Sequence, residues 1–130
     1  MHDRPTIDEL LEAIGNYLVN DVQPNTQGRI SFHARVANNT IQIIRRQLQH
    51  EEEHTAREWS GLDALLGATA MPPTSEALEA ALQQRNAELV QRIRSGDADS
   101  GPWRAQLLTH LRQTTLDKLT VTNPTLANAP

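Results

Sequence analysis

The chain has 130 residues, 38% of them hydrophobic and only 3% aromatic, and a formal net charge of −4. A single domain of this size and make-up must build its core from Leu, Ile, Val and Ala, and a lean core of that kind is often completed by oligomerisation. The acidic balance, with twelve Lys and Arg scattered along every segment, argues against nucleic acid as a partner. The lack of cysteine excludes disulfide and thiolate chemistry.

The start, Met1-His2-Asp3-Arg4-Pro5, lacks the apolar stretch of a leader peptide, and no run approaches membrane-spanning length. The expectation is a cytoplasmic protein with no membrane association. Thr6-Ile7-Asp8-Glu9 is a capping box. From it, Ile7, Leu10, Leu11, Ile14, Tyr17, Leu18 and Val22 recur at a helical period, giving a first helix to about residue 22. Residues 23–28, Gln-Pro-Asn-Thr-Gln-Gly, are a turn-rich connector.

A long second helix is predicted from about Arg29 towards His54, followed by a shorter one over Glu58 to Leu66 that Gly67 stops. Met71-Pro72-Pro73-Thr74 is a loop. Ser75 opens the next helix, with Leu78, Leu82, Leu89 and Ile93 on a narrow face, ending near Ser95-Gly96. Pro102 sits in the first turn of a last helix that runs to about Val121 and stops at Asn123-Pro124. Residues 125–130 read as a loose tail on a single domain of residues 1–124. The expected fold is all-α, an antiparallel bundle of about five helices with one long second helix.

The second helix has a wider apolar arc than one seam requires. Ile30, Ala34, Ala37, Ile41, Ile44 and Leu48 form one stripe; Phe32, Val36 and Ile43 form another. Arg29, His33, Thr40 and Gln47 lie between them, while Asn38, Asn39, Gln42 and Arg46 take the opposite, solvated side. The two stripes favour a homodimer built on this helix. On the last helix, Trp103, Leu107, Leu111, Thr115 and Leu119 share a broad arc with Lys118 inside it. Two readings of Arg29, His33 and Lys118 compete. In one they are satisfied by internal ion pairs, Asp21 serving Arg29. In the other they line a site for an anionic ligand or an acidic partner.

His50-Glu51-Glu52-Glu53-His54 fits the H-E-x-x-H pattern, which on a helix sets two imidazoles on one face with Glu51 to activate a water. The stretch is surrounded by Gln, Glu, Thr and Arg rather than by apolar packing, and no third ligand follows. His50 and His54 are therefore weak metal candidates, and a metal-dependent hydrolase is the remotest reading. Glu51-x-x-His54 also fits half of a di-iron carboxylate site, whose second half is missing. No cofactor motif is present, Ser31 and His33 face different ways, and Trp59 and Trp103 read as packing anchors.

Three blocks carry a resemblance: Asp3-Arg4-Pro5-Thr6 with Glu9-Leu10-Leu11-Glu12-Ala13; Gly28-Arg29-Ile30-Ser31-Phe32-His33-Ala34-Arg35-Val36-Ala37-Asn38-Asn39; and Lys118-Leu119-Thr120-Val121-Thr122-Asn123-Pro124. Across nearly the whole chain the sequence resembles a small bacterial family known as a domain of unknown function. Arg29, Phe32, His33, Arg35, Asn39, Arg46, Lys118, Asn123 and Pro124 match its pattern. Genes of that family often lie beside genes for an acyl-CoA dehydrogenase-like protein and an aminoglycoside-phosphotransferase-like kinase. The resemblance thus implies an accessory role beside such an enzyme, not a catalysed reaction. The reading that results is a non-catalytic binding module, with Arg29, His33, Asn39, Arg46, Lys118 and Asn123 as candidate ligand- or partner-binding residues. The alternative is a protein for a small anionic ligand, or a modest enzyme, using Arg29, His33 and Lys118, with His33 as its acid or base.

Overall fold

The computed structural model describes residues 3–130; Met1 and His2, where the reading of the start begins, lie outside them. Five α-helices, and no strand among the described residues, make the chain all-α: α1 (Ile7–Tyr17), α2 (Gly28–Leu66), α3 (Ser75–Arg94), α4 (Pro102–Thr122) and α5 (Pro124–Ala127). The capping box forms in full: Thr6 Oγ1 accepts from the Glu9 amide, and Glu9 Oε2 accepts from the Thr6 amide at 2.8 Å. After Tyr17 the first helix widens into a π-helical turn, Leu18–Val22. Asn25 and Thr26 side chains then donate to the Asp21 and Val22 carbonyls at 2.7 and 2.6 Å, serving acceptors that the ended helix leaves open.

α2 is one unbroken helix of 39 residues, about 58 Å long at the helical rise. The interruption expected between His54 and Glu58 does not occur. Nothing there breaks a helix. Instead, Arg57 pairs with Glu53 one turn earlier and with Asp117 on α4, so the charged stretch is tied down rather than frayed. Gly67, at φ 100°, ends α2 where a residue with a side chain would be strained.

Residues 67–74 double back along α2. Trp59 Nε1 donates to the Thr69 carbonyl at 3.1 Å, and Asp63 accepts from the Thr69 amide at 3.3 Å. The chain then re-enters helix at the Thr74 cap, and α3 runs in the same direction as α2. Asn86 meets Glu58 and, further along both helices, Arg92 meets the Leu65 carbonyl. α1 and α4 pair with α2 antiparallel: Asp8 meets Arg45 on one side, while Trp103, Asp117 and Val121 of α4 meet Leu65, Arg57 and Arg46 in that order. Asn123 caps α5 by accepting from the Leu126 amide at 3.2 Å, so part of the segment expected to be loose is helical.

The core is small and lies at one end. Leu62, Leu65, Leu89 and Leu107 form it, with Trp103, Leu82 and Ile93 packed around them. Trp103 packs against it and Trp59 is buried one turn before Leu62, both as packing residues. Each indole N–H has a carbonyl partner, and each ring is covered by a guanidinium, Arg85 at 4.6 Å and Arg92 at 4.3 Å. Arg85, which the sequence reading does not single out, is buried and donates to Asp63 and to the Gly67 carbonyl, which fixes the reversal. None of the described helices is long and apolar enough to cross a membrane.

Candidate functional site

α1 and the first half of α2 form a two-helix arm; among the described helices only α4 reaches it, at Arg46, and none packs on α1 besides α2. Leu11, Gly15, Leu18 and Val22 turn inward, and Gly15 is buried where a Cβ would come within 2.8 Å of the Asn38 side chain. The far rim is closed by Arg45, whose fork grips Asp8 at 2.7 and 2.9 Å and reaches Glu12 at 3.4 Å. The Arg45 guanidinium holds the Asp8 carboxyl below the usual carboxylate range, and Asp8 in turn raises Arg45. Arg45 has no place in the sequence reading, because its partner lies 37 residues away in the chain.

The other side of the arm is open and apolar. Ile7, Leu10, Ile14 and Tyr17 of α1 are each at least half exposed, and so is Ile30 of α2, with Ile44 and Leu48 exposed along the same stripe. Phe32 and Val36, also exposed, stand on the second stripe of α2. On α1, the open stripe at positions 7, 10, 14 and 17 follows the helical period. Just beyond it, Leu18 and Val22 of the π-helical turn line a depression with Ile30 and Ala37 of α2.

The predicted site residues fall into separate places. Arg29 and His33 are exposed beside that depression, with Gln27, Ile30, Ala34 and Ala37. Lys118 is exposed on α4 next to Glu51, His54 and Asp117. Eighteen residues of α2 separate His33 from Glu51, about 27 Å along the helix, so Lys118 does not join the other two. Neither Arg29, His33 nor Lys118 belongs to an ion pair among the described residues, and Asp21 does not serve Arg29. The internal-pair reading fails for a simple reason: these side chains stand on uncovered helix surface and need no compensation. His33 meets only the edge of Phe32, ring centroids 5.5 Å apart. Asn39 is exposed on α2. Arg46 and Asn123 have local partners, Arg46 Nε donating to the Val121 carbonyl at 2.7 Å and Asn123 capping α5.

His50 and His54 stack face to face, 5.1 Å between centroids and 8° between planes, which sets their lone pairs side by side rather than converging. Among the described residues no group of three His, Asp or Glu is arranged to hold a metal ion. His54 Nε2 instead faces Asp117 at 3.7 Å.

Asp117 is the centre of a polar strip between α2 and α4 that the sequence reading misses. It is buried, and its carboxylate accepts from Arg57 and from Gln113 Nε2 at 3.0 Å. One and two turns earlier on α4 lie Thr114 and the buried His110. The inward face of α4 is therefore Leu107, His110, Thr114, Asp117 and Val121, a 3-4-3-4 spacing, rather than the Leu111–Leu119 arc expected; Leu111 is exposed. The spacing was the available signal, hidden because two of the five positions carry a His and an Asp.

His110 packs against Gly61 so closely that a Cβ there would lie 2.1 Å from Nδ1. Burial pushes the imidazole below its ordinary value, against the nearby Glu58 carboxylate, which raises it. Beside this ring a groove of about 590 Å³ opens between Ser60, Gly61 and Ala64 of α2 and Ala105, Thr109 and Gln113 of α4.

No curated protein and no solved structure matches the chain. One family model does. It matches residues 24–126, which take in α2, α3 and α4 and leave α1 outside, a narrower span than the resemblance drawn from the sequence. With four-fifths of its length matched, the chain belongs to the family described as a domain of unknown function, DUF6285.

Proposed function

We propose that the chain is a non-catalytic binding module that pairs with a second copy of itself through the open face of the α1–α2 arm. One observation carries the reading. The accessible surface is 9314 Å², whereas a compact monomer of 14.5 kDa exposes about 6,900 Å². The excess, about 2,400 Å², matches what each partner of an obligate homodimer buries. Two antiparallel helices with one apolar side form half of a four-helix bundle, and a face that meets its own copy needs only to be self-complementary about a two-fold axis.

Arg29 and His33 stand at the border of this face, between the stripe it uses and the second stripe of Phe32, Val36 and Ile43. That second stripe is the surface offered to an enzyme of the acyl-CoA or phosphotransferase-like kind that the sequence resemblance implies. Its exposed Phe32, covered on one side by Arg35 at 5.4 Å, has the make-up of an interface anchor.

The test is light scattering coupled to size exclusion, on the wild type and on Ile14→Glu and Ile44→Glu. Both residues are about half exposed in the single chain, so charging them costs little internal packing. Wild type should elute at twice the chain mass and both variants at one. A wild type that stays monomeric at high concentration, or variants that keep its mass, would end the proposal.

A further inference from the structure

The groove beside His110 lies on the other half of α2 and takes no part in the pairing face. It is bounded by α2 and α4 alone. Its floor exists because the facing residues are small: Gly61 and Ala64 on α2, Ala105 on α4. A volume of about 590 Å³ falls within the range of small-molecule sites, and the lining has their usual division, an apolar end at Ala64, Leu65 and Ala105 and a polar end at Gln113 and Asp117.

His110 is what separates this groove from a mere seam between helices. Its residue surface is only 8% exposed, yet its ring makes no hydrogen bond among the described residues. No fully enclosed side-chain nitrogen or oxygen among them lacks a partner, so the unbonded ring nitrogens keep some exposure, and the groove is the cavity that His110 lines. A ligand hydroxyl or carbonyl in the groove would take the place of the water such a nitrogen otherwise meets.

The charge balance narrows the ligand further. Glu58 and Asp117 face the groove against a single Arg57, and that guanidinium is already committed to Asp117 and Glu53. An anion would meet repulsion and find no free cation. We propose that this groove binds a small, uncharged, largely apolar molecule carrying one hydroxyl or carbonyl group, with His110 as its hydrogen-bond partner. Held neutral, the imidazole offers one donor and one acceptor and so suits either group.

Phenol is the probe, followed by NMR on the full chain, with toluene and benzoate as its apolar and anionic counterparts. Phenol should shift the Gly61 and Ala64 amides and the His110 ring saturably. Toluene should bind the same place about five- to ten-fold more weakly, the worth of one hydrogen bond, and benzoate more weakly than phenol. His110→Phe keeps a ring of similar size and should erase the preference for phenol over toluene. Ala105→Phe, at an exposed position, should fill the apolar end and abolish binding of both while the helical circular dichroism stays unchanged. Shifts that do not saturate, a preference for benzoate, or phenol binding that survives Ala105→Phe would each overturn the proposal. Should His110→Phe fail to fold, the Ala105→Phe comparison decides alone.

Discussion

His110 shows how a single side chain can carry both a cost and an opportunity. Its ring is held neutral by burial, with its ordinary value near 6.5 retained only in the unfolded chain. The sign follows from linkage. Above about 6.5 both states are neutral and the fold has its full stability; as pH falls below that value the unfolded chain takes up the proton first, and stability declines until the folded imidazole titrates too. Urea unfolding at several pH values should show this decline on the acid side in the wild type, and a shallower one in His110→Phe. Equal slopes in the two proteins would mean that the imidazole is not buried as described. The ion pairs behave differently. Arg85 holds Asp63 below the carboxylate range, assisted by the Thr69 amide and opposed by burial, so its contribution disappears only in strong acid, as pH falls through the folded value of that carboxyl. These residues were hard to read in the sequence because each is defined by a distant partner. Asp63 and Arg85 are 22 residues apart, and Arg57 and Asp117 are 60 apart. A charge with a buried partner looks, in one dimension, like any charge on a solvated face.

At the scale of the helices, punctuation was legible and continuity was not. Thr6, Gly67, Thr74, Pro102 and Asn123 mark ends through groups that act within three or four residues, so they can be read locally. The unbroken passage of α2 through Thr55-Ala56-Arg57 is accompanied by α4 supplying Asp117 to Arg57, which no local pattern contains. The register of α4 was misread for the same reason, its inward positions including His110 and Asp117 while Leu111 faces out. Gly61 is the residue that lets the His110 ring of α4 lie against α2. Gly61→Ala would ordinarily strengthen a helix by up to about 1 kcal/mol. Here the new Cβ would collide with the His110 ring, and the net effect should be a loss of about 1–3 kcal/mol. Chemical denaturation checks the sign. A variant more stable than wild type would show that the two helices are free to move apart.

For the whole molecule, the balance between core and surface is the deciding quantity. Among the described residues seven apolar ones are buried, Leu62 completely, and all but Ala34 and Val121 lie near the α2–α3–α4 end. The sequence hinted at this through its two apolar stripes on α2, one more than a single neighbour can cover. It did not show that the uncovered side would be shared with α1. If the arm is completed by a second copy, folding and association are one equilibrium. The melting temperature should then rise with protein concentration in the wild type and stay constant in Ile14→Glu, whose arm has nothing to gain from a neighbour. A wild-type melting temperature independent of concentration over two decades would leave the arm unpaired.

The unbroken α2 has a further consequence once its two ends are assigned different tasks. Pairing would grip only the first half of a rigid rod, so the second half of each copy projects from the junction and carries its groove with it. Two such rods joined at their grips hold two equivalent cavities at a fixed spacing and orientation, set by helix geometry rather than by a linker. A partner presenting two matching groups at that spacing would be held by both at once, and the second contact would form at the high effective concentration that tethering provides. Gln49→Pro, at an exposed position outside both the grip and the cavity, would bend the rod and change that spacing.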